Sequence, residues 1–285
     1  MIVVTGATGQ LGRLVVTELL DRGVPAGKVV AAVRTPEKAA DLAALGVLVR
    51  EADYDRPDTL DTALAGADRL LLVSANEVGR RLDQHRNVID AAVRANVRLL
   101  AYTSLLRADT STLPLAAEHK ATEELIRASG LPFTLLRNGW YTENYTGNLA
   151  GTLAHGAVLG SAGTGRISAA TRADYAAAAA AVLTGEGHAN TGYELGGDQA
   201  FTLTELADEI TRQSGTEVVY RDLPVEEYSA ALVGFGLPEP YAAMLAACDL
   251  GIAAGELVTD RDDLRRLAGR PTTSLADAVA VALKG

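Results

Sequence analysis

The sequence predicts an α/β fold, a doubly wound parallel sheet followed by a smaller, mostly helical C-terminal lobe. Three observations carry this. Short, continuously apolar strand-like runs alternate with helix-like segments up to about residue 140. Glycines at positions 6, 9 and 12 punctuate the first strand–helix junction. After residue 140 the alternation loosens into glycine- and threonine-rich stretches and then into helical ones. Apolar strands separated by helices bury a parallel sheet on both faces, and right-handed crossovers wind it.

The elements follow in order. Residues 2–5 are a β-branched run, after which Leu11, Leu14, Val15 and Leu19 recur at helical spacing until the glycines at 23 and 27. Residues 29–33 form a second strand, 37–45 a helix and 47–50 a third strand. Pro57 opens the next helix, where its missing N–H costs nothing. Residues 70–74 form strand four, 83–95 a helix and 97–104 strand five. A helix over 116–129 stops at Gly130 with Pro132 beyond, and 133–136 is strand six. Residues 172–183 are an alanine-rich helix, 193–195 a last strand, and 204–214 a helix that Thr202 or Thr204 can cap. From Val225 onward the text is helical, broken at 234–236 and 238–240. The expected division is a sheet domain over 1–140, to which 173–198 returns, and a smaller lobe over 141–285.

Bulk properties narrow the partners. A net charge of -10 repels phosphate backbones and anionic lipid surfaces, so neither nucleic acid nor membrane insertion is expected. The longest apolar run, 175–183, is far short of the ~20 residues that span a bilayer. No targeting segment is visible, and the cytoplasm is the expected compartment. The single cysteine, Cys248, sits among apolar neighbours and reads as a small core residue.

The stretch Gly6-Ala7-Thr8-Gly9-Gln10-Leu11-Gly12 follows a strand and opens an amphipathic helix. In that context a glycine-rich turn is a Rossmann-type dinucleotide fingerprint. Gly6 permits the tight turn, Gly9 lets a pyrophosphate approach the backbone, and Gly12 brings helix and strand together. The phosphates would then meet the helix N-terminal amides. At the end of strand two, where an NAD site carries an acidic residue, the chain has Arg34. A guanidinium favours a 2′-phosphate and cannot accept a ribose hydroxyl proton, so Arg34 points to NADPH. Asp53-Tyr54-Asp55 is placed to flank the adenine, and Ser74, Ala75 and Asn76 lie at the carboxyl end of strand four, where a cofactor lies.

Catalytic groups are scarcer. The four lysines, Lys28, Lys38, Lys120 and Lys284, are preceded four positions earlier by Val24, Arg34, Ala116 and Ala280, so no Tyr-x-x-x-Lys pair exists. The histidines at 85, 119, 155 and 188 do not pair at metal-ligand spacing, so no metal is expected, and His119 reads as a helix-surface residue. The run Asn138, Gly139, Trp140, Tyr141, Thr142, Glu143 follows strand six, where an acceptor would meet the nicotinamide. Its rings could sandwich a flat acceptor and its amide could orient the acceptor's oxygens. The competing reading of this run is packing against the second lobe.

With these residues in view, the chain resembles the NmrA-like branch of the atypical short-chain dehydrogenases, in particular its bacterial type 2 quinone reductases. Residues 6–12, 70–74, 77–79, 84–89, 101–106, 134–145 and 170–179 carry the resemblance, with 186–188, 236–238 and 271–273 extending it over nearly the whole length. The most specific stretches are Ala101-Tyr102-Thr103-Ser104-Leu105-Leu106 and Leu135-Leu136-Arg137-Asn138-Gly139-Trp140-Tyr141. The resemblance implies hydride transfer from NADPH to a small-molecule quinone without a flavin, with Gly6 to Leu11 holding the phosphates and Arg34 the 2′-phosphate. The resemblance implies that Ser74, Ala75 and Asn76 line the cofactor, where the family shows more serine. A quinone takes hydride readily, so positioning can supply most of the catalysis. A reductase of another flat aromatic acceptor, similar to triphenylmethane dye reductase, and a non-enzymatic dinucleotide-sensing regulator similar to NmrA remain open. A homo-oligomer is also left open.

Overall fold

The computed structural model describes residues 1–284. In chain order the sheet-domain elements are β1 (Ile2–Thr5), α1 (Gln10–Asp21), β2 (Val29–Val33), α2 (Ala40–Ala44), β3 (Leu48–Glu51), α3 (Pro57–Ala63) and β4 (Arg69–Leu72). They continue as α4 (Arg81–Arg94), β5 (Leu99–Leu105), α5 (Ala116–Ala128) and β6 (Phe133–Asn138). The remaining elements are α6 (Glu143–Thr146), α7 (Leu149–His155), β7 (Ala157–Gly160), α8 (Arg172–Thr184), β8 (Thr191–Leu195), α9 (Leu203–Ser214) and β9 (Val219–Asp222). Four helices end the chain, α10 (Val225–Gly234), α11 (Glu239–Ala253), α12 (Asp263–Ala268) and α13 (Leu275–Ala282).

Seven strands form one parallel sheet in the order β3-β2-β1-β4-β5-β6-β8. The order reverses beside β1, and the crevice outside the strand ends at such a reversal is where ligands bind. Strand side chains alternate between the two faces. Val4, Ala31, Val33, Leu71, Ala101 and Leu136 pack with Leu11 and Val15 of α1 and with Ala176 and Ala179 of α8. Val3, Val30, Ala32, Leu70, Leu72, Leu100 and Tyr102 pack with Leu60 of α3, Val88 of α4 and Ile126 of α5. Burial on both faces explains why these strands read as continuous apolar runs.

The chain returns to this sheet after residue 140. Strand β8 pairs with β6 from Thr134 opposite Thr191 to Asn138 opposite Leu195, and α8 packs on α1. Capping of α8 is reciprocal: Thr171 accepts from the Asp174 N–H while the Asp174 carboxylate accepts from the Thr171 N–H. Helix α12, expected in the small lobe, also joins this layer through Leu264 and Leu267.

The small lobe has its own core around Trp140, Leu149, Val158, Ile167, Phe201, Leu206, Cys248 and Ile252. Cys248 is buried there, as its apolar neighbours indicated. The lobe is not purely helical, because β7 and β9 form a two-stranded parallel sheet. Each strand is only four residues long, and β9 is Val-Tyr-Arg-Asp with no buried residue. Neither carries an alternation that sequence periodicity can detect. Among the described residues no helix is long and apolar enough to cross a membrane.

Candidate active site

The glycine turn has a steric logic visible in the backbone. Gly6 adopts φ +57°, in the left-handed region, and the Gly9 N–H closes the turn onto the Gly6 carbonyl at 2.9 Å. At Gly12 a Cβ would lie 2.4 Å from the Gly6 carbonyl oxygen and 3.0 Å from Ala7 Cα. Gly12 is thus the close-packing position between α1 and β1. Helix α1 begins at Gln10, and Gly9 supplies no side-chain cap. Its first amides and the positive end of its dipole stay available to an anion. Gly6, Thr8, Gly9, Gln10, Leu11 and Gly12 line a cleft of about 1020 Å³, whereas Ala7 is buried in the core.

Beyond β2 the cleft is bordered by Arg34, Thr35 and Lys38. The Arg34 side chain is 69% exposed, and its Nη1 lies 3.4 Å from Glu77 Oε1, so it is held loosely. Lys38 was not singled out from the sequence, although it follows Arg34 by four residues. Asp53 and Tyr54 line the same end. The Tyr54 hydroxyl donates to the Val73 carbonyl at 2.9 Å and meets Thr5 Oγ1, which ties β3 and β4 to the end of β1. Asp55 does not line the cleft, but it accepts from Arg80 and Gln84. Gln84 leaves its Oε1 buried in the cleft wall without a hydrogen-bond partner among the described residues.

Ser74, Ala75 and Asn76 line the next part. Their backbone is pinned by side chains. The Ser74 N–H donates to Thr103 Oγ1 at 2.8 Å, the Ala75 N–H to His85 Nε2 at 2.9 Å, and Arg81 Nε to the Ala75 carbonyl at 2.7 Å. Because Nε2 accepts, His85 carries its proton on Nδ1 and donates to Thr122 Oγ1 at 3.0 Å. Burial and then the nearby Arg81 push His85 down to about 3, so it is neutral. His119, expected on a helix surface, is instead 6% exposed and faces the cleft. Its Nδ1 lies 2.7 Å from the Tyr102 hydroxyl, and burial, with Arg81 and His85, holds it well below the usual histidine range. Residue spacing could not show that α5 turns this position toward the crevice.

The segment after β6 divides. Asn138, Gly139, Trp140 and Tyr141 line the cleft, while Thr142 and Glu143 do not. Thr142 is buried, with its N–H on the Ala170 carbonyl, and Glu143 accepts from the Arg172 N–H at 2.9 Å. The short helix α6 starts at Glu143 and rotates these two side chains away. At Gly139 a Cβ would meet the Leu195 carbonyl at 3.0 Å and the Tyr175 hydroxyl at 3.2 Å, so this glycine serves β6–β8 packing. Asn138 Nδ2 donates to the Tyr141 hydroxyl at 3.3 Å. Burial raises the Tyr141 pKa, and that phenol keeps its proton. The Arg172 guanidinium lies 4.6 Å from the Tyr141 ring centroid.

Asn144, Tyr145 and Asn148 continue the wall, and α10 and α11 complete it with Tyr228, Leu232, Phe235, Tyr241, Met244, Leu245 and Asp249. These helices read as plain helical sequence, because their cleft residues come together only when the two helices pack. The finished site is one continuous cleft. Glycines and cations lie at one end, apolar and aromatic walls at the other, and the β4 and β6 strand ends lie between. No group of metal-ligating side chains occurs among the described residues.

The chain is similar over nearly its whole length to known proteins. An NAD(P)H-binding family model matches residues 6–186. Quinone oxidoreductase 2 of Escherichia coli K12 is 53% identical over 98% of both chains. The crystal structure of an NADPH-dependent quinone oxidoreductase from Escherichia coli complexed with NADPH superposes with a TM-score of 0.96, at 52% identity, covering 99% of this chain and 100% of that one. Triphenylmethane reductase of Citrobacter sp. complexed with NADP(H) superposes with a TM-score of 0.94, at 43% identity, covering 99% of this chain and 100% of that one. An NmrA-like family domain-containing oxidoreductase of Aspergillus flavus is 30% identical over 97% of this chain and 92% of that one. The chain therefore belongs to the NAD(P)H-binding family, in its NmrA-like branch.

Proposed function

We propose that this protein is an NADPH-dependent reductase that passes a hydride directly to a quinone, without a flavin. The observation that carries the reading is the continuity of the cleft, from an uncapped helix N-terminus to a chamber walled by Trp140, Tyr141, Leu232, Met244 and Leu245. In a cleft of this shape a dinucleotide and a flat acceptor can lie end to end. The quinone reductase relative, similar over nearly its full length, supports the choice of acceptor.

The chain's residues divide the work. Amides of α1 and the glycine turn hold the pyrophosphate, and Arg34 with Lys38 holds the 2′-phosphate. The pinned backbone of 74–76 borders the nicotinamide half, and Asn138, Trp140 and Tyr141 orient the acceptor. NADPH supplies the hydride when bound, and the protein's task is alignment within about 3–3.5 Å. Residues 1–140 with the returning α8 and β8 form the cofactor unit, and the remaining lobe closes over the acceptor.

Oxidation of NADPH followed at 340 nm with small quinones, on protein free of added flavin, tests the reading. Saturable quinone-dependent oxidation is expected. Turnover of cationic dyes far above that of quinones would favour the dye-reductase reading instead. Tight NADPH binding with no turnover of any acceptor would favour a sensing role.

A further inference from the structure

At the far end of the cleft, α11 places Asp249 in the wall with its side chain 4% exposed. The Ser161 N–H donates to Asp249 Oδ2 at 2.8 Å. A Cβ at Gly160 would lie 2.7 Å from that same oxygen, so the carboxyl rests directly on the backbone leaving β7. Oδ1 is taken by no protein donor among the described residues, and no lysine or arginine there pairs with this carboxyl. The groups that feel its charge are Tyr145 from α6, Tyr228 from α10, Tyr220 and Asp222 from β9, and Cys248 on its own helix. None of them is a cation. The Tyr145 hydroxyl is buried in the cleft wall without a hydrogen-bond partner among the described residues.

We infer that Asp249, flanked by Tyr145 and Tyr228, is the proton donor to the acceptor reduced in this cleft. The inference rests on the proposed quinone reduction. When hydride and its electron pair arrive on the quinone, the acceptor becomes a hydroquinone monoanion. The Asp249 O–H bond then breaks, its proton forms the new O–H bond on the anionic oxygen, and solvent restores the carboxylic acid. The sum is NADPH, quinone and one proton giving NADP⁺ and hydroquinone.

The other groups along this part of the cleft are poorer acids. Burial keeps His119 neutral and holds the phenols of Tyr141, Tyr145 and Tyr228 above their ordinary range, and the carboxyls of Asp53 and Glu77 lie at the Arg34 end. Asp249 is different. Burial, with a smaller push from Asp222, raises its carboxyl to about 6, against the opposing pull of the Ser161 N–H. A general acid works best with a pKa near the operating pH.

The test compares wild type, Asp249→Asn and Asp249→Glu under saturating NADPH with benzoquinone, from pH 5 to 8.5. Calorimetric NADPH titration and a carboxyl titration by NMR on aspartate-labelled protein accompany the kinetics. An acid acts while protonated, so the wild-type kcat should fall as pH rises through about 6. Asp249→Asn should lose that limb and about a hundredfold of kcat at pH 5.5, with NADPH affinity within about twofold. Asp249→Glu should restore the limb. An Asn variant with the wild-type pH profile overturns the inference alone. So does a carboxyl titrating near the ordinary aspartate value in the intact chain, a result that stands even if the variants fail to fold. Wild-type protein inert toward every quinone overturns the proposed function, and this inference with it.

Discussion

Arg34→Ala should weaken NADPH binding while leaving NADH binding nearly unchanged. A hydrogen bond to a charged group contributes ~1.5–3 kcal/mol. Two features of the site place Arg34 at the low end. Its side chain is 69% exposed, and Glu77 competes for it at 3.4 Å. Lys38 borders the same part of the cleft and retains one positive charge after the substitution. The expected loss is therefore about 1.5 kcal/mol, or roughly tenfold in Kd, for Arg34→Ala alone. It should reach about a hundredfold for Arg34→Ala combined with Lys38→Ala. Glu77→Gln should tighten NADPH slightly by removing the competing carboxylate. Calorimetric titration of each variant with NADPH and NADH, at two salt concentrations, measures all of these. Equal losses for the two cofactors, or a wild-type preference for NADH, would refute the assignment of this cluster to the 2′-phosphate.

Three further outcomes follow from the geometry. Gly9→Val should abolish NADPH binding with the fold retained, because its side chain would fill space the pyrophosphate needs, whereas Gly12→Val should also lower Tm, because its Cβ would lie 2.4 Å from the Gly6 carbonyl oxygen; circular dichroism melts paired with titration separate the two. Trp140→Ala, Tyr141→Ala and Asn138→Ala should each lower quinone turnover more than NADPH affinity, and full turnover in all three would make this segment packing alone. For His85 the folded pKa of about 3 lies below the unfolded value near 6.5, so the unfolded chain binds the extra proton first. Its contribution to stability should be complete above about pH 6.5 and decline as pH falls toward 3, and His85→Gln should flatten that part of a denaturation-against-pH curve.

Much of the sheet domain was legible because its signals are local. Apolar strands buried on both faces announce themselves by composition, and Gly130 with Pro132 marks the end of α5. Boundaries moved by a residue or two, as at β6, which runs on to Asn138 where 133–136 was expected. That extension has a tertiary cause, since Arg137 and Asn138 pair with Glu194 and Leu195 of β8. Arg137 also holds Glu123 of α5 in a buried ion pair and Glu194 of β8 in a half-buried one, and no spacing rule links positions 123, 137 and 194.

The sequence by itself determined the parallel α/β architecture, the glycine turn at the first strand–helix junction and the arginine that follows strand two. Each depends on residues close together in the chain, through side-chain period, backbone conformation or charge at a known strand end. Only the tertiary structure decided which side of each element faces the cleft. It turned His119 inward, rotated Thr142 and Glu143 away, and brought Lys38, Tyr145, Tyr228 and Asp249 to the same cavity. Helical periodicity gives a buried face but not its neighbour, and Tyr228 and Asp249 come together in the cleft only after α10 and α11 have packed against each other. The far wall of the cleft, and any acid it carries, is therefore a property of packing.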